Sequence, residues 1–223
     1  MGLRVEVVKV TPFQQNCSLI WCDQTRTAAV IDPGGDLDKI QRVIESHDLN
    51  VQQILLTHGH LDHAGGASSL SELLNVPIIG PHKADQFWLD SIVEQSSKFG
   101  FPGGKNCVPD RWLSDSETIK VGHEELLVLF CPGHTPGHVV FYHEQSRLTF
   151  VGDVLFKGSI GRTDFPRGDH ATLIRSITEQ LWPLGNETRF VPGHGPISDF
   201  GSERSNNQFV SDARLARLPA KEN

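Results

Sequence analysis

Long apolar runs are missing from this sequence. None approaches the ~20 residues that a helix needs to cross a bilayer, so no membrane partner is expected. Positive charge is in short supply: 20 Lys and Arg face 27 Asp and Glu, a formal net charge of −7. That balance argues against a nucleic-acid partner, which needs a basic face, while leaving room for a local basic patch. Cysteine is scarce, and Cys17, Cys22, Cys107 and Cys131 form no C-x-x-C pair. Met1 to Val7 alternate like a strand and lack the apolar centre of a secretory signal. Reduced thiols in a cytoplasmic protein are therefore expected. Low-complexity blocks and linker-like stretches are also absent. A chain of 223 residues with 38% hydrophobic content is expected to fold as one domain, 1–223, with ample core.

Histidine is what the chain does have, and it is unevenly placed. Three imidazoles and one carboxylate fall within the six positions His58 to His63, in Thr57-His58-Gly59-His60-Leu61-Asp62-His63. The apolar segment Val51 to Leu56 before them reads as a buried strand. The Leu70, Leu73 and Leu74 pattern after them reads as a helix. The cluster thus sits on a loop at a strand end, where α/β proteins place their chemistry. Imidazole and carboxylate packed so densely need a cation between them, and zinc, iron and manganese all accept these donors.

The remaining pattern is strand-rich. Strands are expected at Leu3–Val10, Cys17–Cys22, Ala28–Ile31, Val76–Ile79, Glu117–Val121, Leu126–Cys131, Val139–Tyr142, Leu148–Val151 and Thr188–Val191. Helices are expected from Leu37 to Ile44, capped by Asp36 or a neighbour, from His82 to Lys98, from His170 to Trp182, and from Glu203 to Arg214. The Gly- and Pro-rich stretch from Phe99 to Trp112 reads as a loop. The second half loosely mirrors the first, which suggests two sheets packed face to face with helices outside. Asp32 follows a strand and reads as a turn residue, or as one that orients a metal ligand.

Three more candidates follow strand ends: His134 in Cys131-Pro132-Gly133-His134, Asp153 after Phe150-Val151-Gly152, and His194 in Pro192-Gly193-His194. Strand ends gather on one rim, so these distant residues can meet the first cluster.

Together the motifs from Thr57 to His194 resemble the metallo-β-lactamase superfamily. The resemblance implies an α/β fold, a four-layer αβ/βα sandwich with two divalent metal ions on one edge. It implies one metal on His58, His60 and His134, a second on Asp62, His63 and His194, and Asp153 bridging both. Asp62 and Asp153 are then catalytic as well as ligating. Zinc is the first expectation, with iron or manganese as alternatives. Metal binding lowers the pKa of water towards about 7.

Departures from other branches narrow the resemblance. Position 153 is Asp where the secreted β-lactamases carry Cys. The single tyrosine, Tyr142, lies in a strand, unlike the site tyrosine of lactonases. His60 stands where the flavin-linked di-iron branch has Glu. Gly158 to Asp169 resembles a segment of the glyoxalase II group and of the persulfide dioxygenases. From Phe13–Cys22 through Pro166–Asp169 the chain is most similar to short, single-domain glyoxalase II-like hydrolases. That implies a thioester hydrolase acting on a small glutathione thioester, converting S-D-lactoylglutathione to D-lactate and glutathione. Only about thirty residues follow His194, too few for the helical domain that contacts glutathione in longer relatives, so a broader thioester range is expected. The alternative is a mononuclear iron persulfide dioxygenase using only His58, His134 and Asp153. Arg162 is the first candidate to hold a substrate carboxylate, with Lys157 and Arg167 adding a basic lip, unless Arg162 pairs with Asp164. His138, Glu203 and Asn207 are read as packing or structural residues.

Overall fold

The computed structural model describes residues 2–101 and 103–217. In the first half, β1 (Leu3–Val10) and β2 (Gln15–Cys22) form an antiparallel hairpin, and β3 (Thr27–Ile31) adds antiparallel to β2. Parallel pairing needs a crossover. Helix α1 (Leu37–Ser46) provides it before β4 (Asn50–Leu55), and α2 (Leu61–Ala64) with α3 (Ala67–Leu74) before β5 (Ile78–Ile79). The result is a five-stranded sheet in sequence order. Helices α4 (Gln86–Leu89) and α5 (Ile92–Phe99) follow.

The second half begins with β6 (Thr118–Val121), β7 (Glu124–Phe130), β8 (Val139–His143) and β9 (Leu148–Gly152), each antiparallel to the one before. A small hairpin of β10 (Leu155–Phe156) and β11 (Ser159–Ile160) follows, then α6 (His170–Arg175). Strand β12 (Arg189–Pro192) returns parallel to β9, and β13 (Ser198–Asp199) closes the edge, giving a six-stranded sheet β13-β12-β9-β8-β7-β6. Helices α7 (Phe200–Asn206) and α8 (Asp212–Leu215) come last.

Alternation along the strands distributes the core. Ile20, Ala29, Ile31 and Leu55 of the first sheet meet Val128, Val139, Phe141 and Phe150 of the second in one buried cluster between the sheets. Their neighbours Leu19, Trp21, Val30 and Ile54 turn the other way, to Ile40, Leu70 and Ile92 of the first helical layer. Val140, Tyr142 and Val151 likewise face Leu173, Ile177, Leu181 and Phe200 of the second. Helices, sheet, sheet, helices: this is the four-layer αβ/βα sandwich. All four cysteines are buried free thiols.

Several expected elements change shape. The helix from His82 to Lys98 is broken into a short turn (Lys83–Asp85), α4 and α5. The break comes at Ser91, where the Ser91 hydroxyl and the Gln95 amide both donate to Trp88 O, at 3.0 Å each. The terminal helix splits at Asn207, which spends its side chain on Ser159 O, Glu203 and Phe209 N. The helix from His170 widens into a π-helical turn over Ser176–Leu181. Asp36 stands at the start of α1 in a left-handed conformation, φ 47°, and makes no side-chain cap. Its carboxylate instead accepts from Thr11 N and Lys39 Nζ.

Candidate metal centre

Strands β3 and β4 run parallel, as do β9 and β12, and β7 shares their direction because β8 is antiparallel to both β7 and β9. The segments leaving these strands are Asp32, Thr57 to His63, His134, Asp153 and His194. They meet on one rim, where the two sheets face each other.

The outer nitrogens of four imidazoles are fixed by hydrogen bonds, and this sets the direction of their lone pairs. Thr57 donates its hydroxyl proton to Asp32 Oδ2 at 2.6 Å, so His58 Nδ1–H donates to Thr57 Oγ1 at 3.0 Å. His134 Nδ1 faces the carbonyl of Arg162 at 2.7 Å and must donate. His63 Nδ1 donates to Asp32 Oδ2 at 2.9 Å, and His194 Nδ1 to Phe13 O at 3.2 Å. Each Nε2 points inward, and in the neutral ring it carries the lone pair that a metal ion would take. Those of His58 and His134 converge on His60 Nδ1, at 3.1 and 3.0 Å. Those of His63 and His194 point at carboxylates: His63 Nε2 lies 3.3 Å from Asp153 Oδ1, and His194 Nε2 lies 3.0 Å from Asp62 Oδ2.

Lone pairs facing lone pairs and carboxylates repel unless a cation lies between them. Asp153 Oδ1 and His63 Nε2 are buried without a hydrogen-bond partner among the described residues. The donors sort into His58, His60 and His134, and Asp62, His63 and His194, with the atoms of each set within 4.8 Å of one another. Asp32, His58 and His63 form a third such set, but Asp32 already accepts from Thr57 N, Thr57 Oγ1 and His63. The donor chemistry fits two divalent ions, with Asp153 reaching both groups: its Oδ2 is 3.6 Å from His134 Nε2 and 3.7 Å from His194 Nε2.

The electrostatics agree. Burial, then the other imidazoles, hold His58 well below the ordinary histidine pKa, and burial with His134 pushes His60 down to about 3. Burial opposes a charge on His63, but Asp153 and Asp62 outweigh it and raise the pKa well above its usual value. Burial likewise opposes charge on Asp153, yet His63, His134 and His194 pull its pKa far down. These shifts favour a positive charge among the carboxylates of the site, which a proton on His63 or a metal ion would supply.

Glycines let the backbones close around this point. Gly152 has φ 48°, and a Cβ there would meet Thr57 Oγ1 at 2.6 Å and the His138 ring at 2.7 Å. A Cβ at Gly193 would run into Asp153 Oδ1 and His63.

His138 packs against the site as the sequence suggests, whereas Asn16 and Asp85 carry no local signal. His138 Nε2 accepts from Asp153 N at 3.0 Å, and its ring stacks on His58. Asn16 donates to Pro192 O and Gly195 O, both 2.9 Å, holding the loop of His194. Asp85 is fully buried and accepts from Gly59 N, Thr135 Oγ1 and Gly137 N. Burial raises its carboxyl to about 6, against the pull of these donors.

A cavity of about 880 Å³ opens over the site, floored by His60, Asp62, His134, Asp153 and His194 and walled by Phe13, Trp88, Phe99, Phe156 and Phe165. Arg162 lines it, but its guanidinium is held in a two-pronged pair with Asp164, at 3.0 and 2.7 Å, and lies over the Phe165 ring. Lys157 and Arg167 do not line the cavity. Lys157 is exposed at the β10–β11 turn, and Arg167 lies over Phe87. Of the expected basic lip Arg162 lines the cavity, and Lys98 lines it as well.

The family model of the metallo-β-lactamase superfamily matches residues 10–194. The hydroxyacylglutathione hydrolase GloC of Haemophilus influenzae is 45% identical over 210 residues, covering 94% of this chain and 99% of that protein. Among solved structures, the BLEG-1 B3 metallo-β-lactamase superposes with a TM-score of 0.85 at 32% identity, over 93% of this chain and 99% of that one. TTHA1623, solved in a di-iron-bound form, gives a TM-score of 0.84 at 35% identity, over 92% and 100% of the two chains.

Proposed function

The chain belongs to the metallo-β-lactamase superfamily and is a hydroxyacylglutathione hydrolase-like enzyme, and on that footing we propose that it hydrolyses a glutathione thioester, S-D-lactoylglutathione first among them, to D-lactate and glutathione. One observation carries the reading: four imidazoles with fixed tautomers turn their lone pairs into two adjoining donor sets under one aromatic-walled cavity. The likeness to GloC along nearly the whole chain supports the substrate class.

His58, His60 and His134 would hold one ion, Asp62, His63 and His194 the other, and Asp153 would join them. When bound, two divalent ions polarise the thioester carbonyl and make water acidic enough to attack at neutral pH. Of the two carboxylates on the cavity floor, Asp62 is the more open, its side chain 20% exposed against 12% for Asp153. It is placed to orient the attacking water and take its proton. The aromatic walls exclude bulk water and pack the substrate's carbon skeleton. A substrate carboxylate at Arg162 has to displace Asp164, whereas Lys98 has no ion-pair partner among the described residues and lies only over Phe99. Both cations are assigned to the carboxylate end of the substrate, and Lys157 and Arg167 to none of it.

The test is anaerobic turnover of S-D-lactoylglutathione by purified, metal-assayed protein. Rapid thioester loss without oxygen, with about two ions per chain, is expected. No turnover, with a single iron per chain, would overturn the hydrolase in favour of persulfide oxidation. A β-lactam belongs in the same assay, given the likeness to BLEG-1, and faster turnover of the β-lactam would reassign the substrate.

A further inference from the structure

Asp85 stands outside the donor sets, and no catalytic step uses it. It ends the short turn Lys83–Asp85, which His82 opens by accepting from Ala84 N with its own imidazole. A carboxylate removed from water is costly unless every lone pair finds a donor. Asp85 Oδ2 accepts from Gly59 N at 2.9 Å and Thr135 Oγ1 at 2.7 Å, and Oδ1 from Gly137 N at 2.6 Å.

The identity of these donors is the informative part. Gly59 lies between His58 and His60, while Thr135 and Gly137 follow His134. One carboxylate therefore holds the main chain between His58 and His60 and, through the Thr135 hydroxyl and Gly137 N, the segment that follows His134. Both glycines allow a close approach: a Cβ at Gly137 would stand 2.6 Å from Asp85 N and from His82 O, and one at Gly59 would stand 2.7 Å from Trp88 Cβ. His82 N also donates to Gly137 O at 3.1 Å, so the turn is docked by main chain as well. Nothing comparable links Asp85 to Asp62, His63 or His194. There the anchors are Asp32, through His63, and Asn16, through the loop of His194.

We propose that Asp85 is a positioning residue that, beside the Val139 N to Thr57 O bond and the His58–His138 stack, ties the two loops into one rigid metal site, setting the affinity of the His58, His60 and His134 set while leaving the Asp62, His63 and His194 set unchanged. The inference rests on the reading of these sets as metal sites. Side chains that orient ligands typically change metal affinity by about 10–100-fold when removed. Here the leverage acts on both segments that carry the three ligands.

The experiment titrates cobalt(II) alone into the metal-free full-length chain and follows visible absorption and equilibrium dialysis. Wild type is expected to take up two ions. Asp85→Asn, which turns an amide towards N–H donors, should weaken one ion by at least about tenfold and leave the other unchanged. Its one-ion spectrum should match that of His134→Ala, which lacks the same set. Thr135→Val removes one of the three donors, keeps the carboxylate, and should show a smaller loss at the same ion; it carries the test alone if Asp85→Asn does not fold. Leu181→Ala, far from the rim, controls for general loss of stability. Unchanged affinity for both ions, or equal weakening of both, would overturn the proposal while the two-metal reading stands. A wild-type chain that takes up no cobalt would overturn both.

Discussion

Asp32 illustrates how one carboxylate fixes two imidazoles. It accepts from Thr57 N, from the Thr57 hydroxyl that orients His58, and from His63 Nδ1. Asp32→Asn keeps the shape but offers one acceptor fewer. It is expected to lower zinc affinity about 10–100-fold with the fold intact, and a zinc titration beside a circular dichroism spectrum checks both halves. His63 supplies a second prediction. Its pKa in the metal-free protein is raised well above the ordinary value by Asp153 and Asp62, against burial. The imidazolium thus adds stability that is full below the ordinary histidine pKa and is lost as pH rises through the raised one. Metal uptake at neutral pH must expel that proton. Proton release in weak buffer, and tighter metal binding as pH rises, are the expected results; uptake without release would show His63 to be neutral beforehand. The donors themselves were legible in the sequence, because His58 to His63 are adjacent and His134, Asp153 and His194 each follow a strand. Asp85 was not, since its donors lie 26, 50 and 52 positions away and a lone Asp in a helical pattern looks like any solvated side chain.

Short elements decide the shape of the cavity. The hairpin β10–β11 leads into the loop of Arg162, and Glu203 and Asn207 in and after α7 hold it from behind. Glu203 is 3% exposed and accepts from Gly158 N at 2.8 Å, Ser198 Oγ at 2.6 Å and Asn207 Nδ2 at 2.8 Å. Glu203→Ala strands three donors and is expected to destabilise the protein by about 3 kcal/mol, read from urea unfolding. Because the hairpin positions the wall that carries Arg162, KM for the thioester should rise more than kcat falls. Equal kinetics in the folded variant would show that the hairpin is held by other contacts. Periodicity found the long strands, where alternation between two cores leaves a clear mark. It missed β10, β11 and β13, each two residues long, and it ran α4 and α5 together, because Ser91 and Gln95 break the helix with side-chain bonds that spacing does not reveal.

At the scale of the molecule, two sheets built from separate halves of the chain meet across one apolar layer. Phe141 lies fully buried in that layer, and Phe141→Ala is expected to cost about 3–5 kcal/mol by chemical unfolding. Metal ions at the rim would add a second bond between the halves, since the candidate ligands come from both. An ion held at 100 times its Kd contributes about 2.7 kcal/mol, so chelation should lower Tm on the order of 5–10 °C, read by a thermal melt with and without chelator. The sandwich was legible from the repeat of strands and helices in the two halves; the π-helical turn at Ser176–Leu181 was not, because its buried residues still recur at a spacing a helix allows. The division of the donors has one more consequence. Each set takes two residues from before the end of α5 and one from after β7: His58 and His60 with His134, Asp62 and His63 with His194. If the chain were cut between α5 and β6 and its pieces mixed, neither piece could complete a site alone. Metal uptake would then report their reunion, and the two fragments should find each other in the presence of zinc and drift apart when it is chelated.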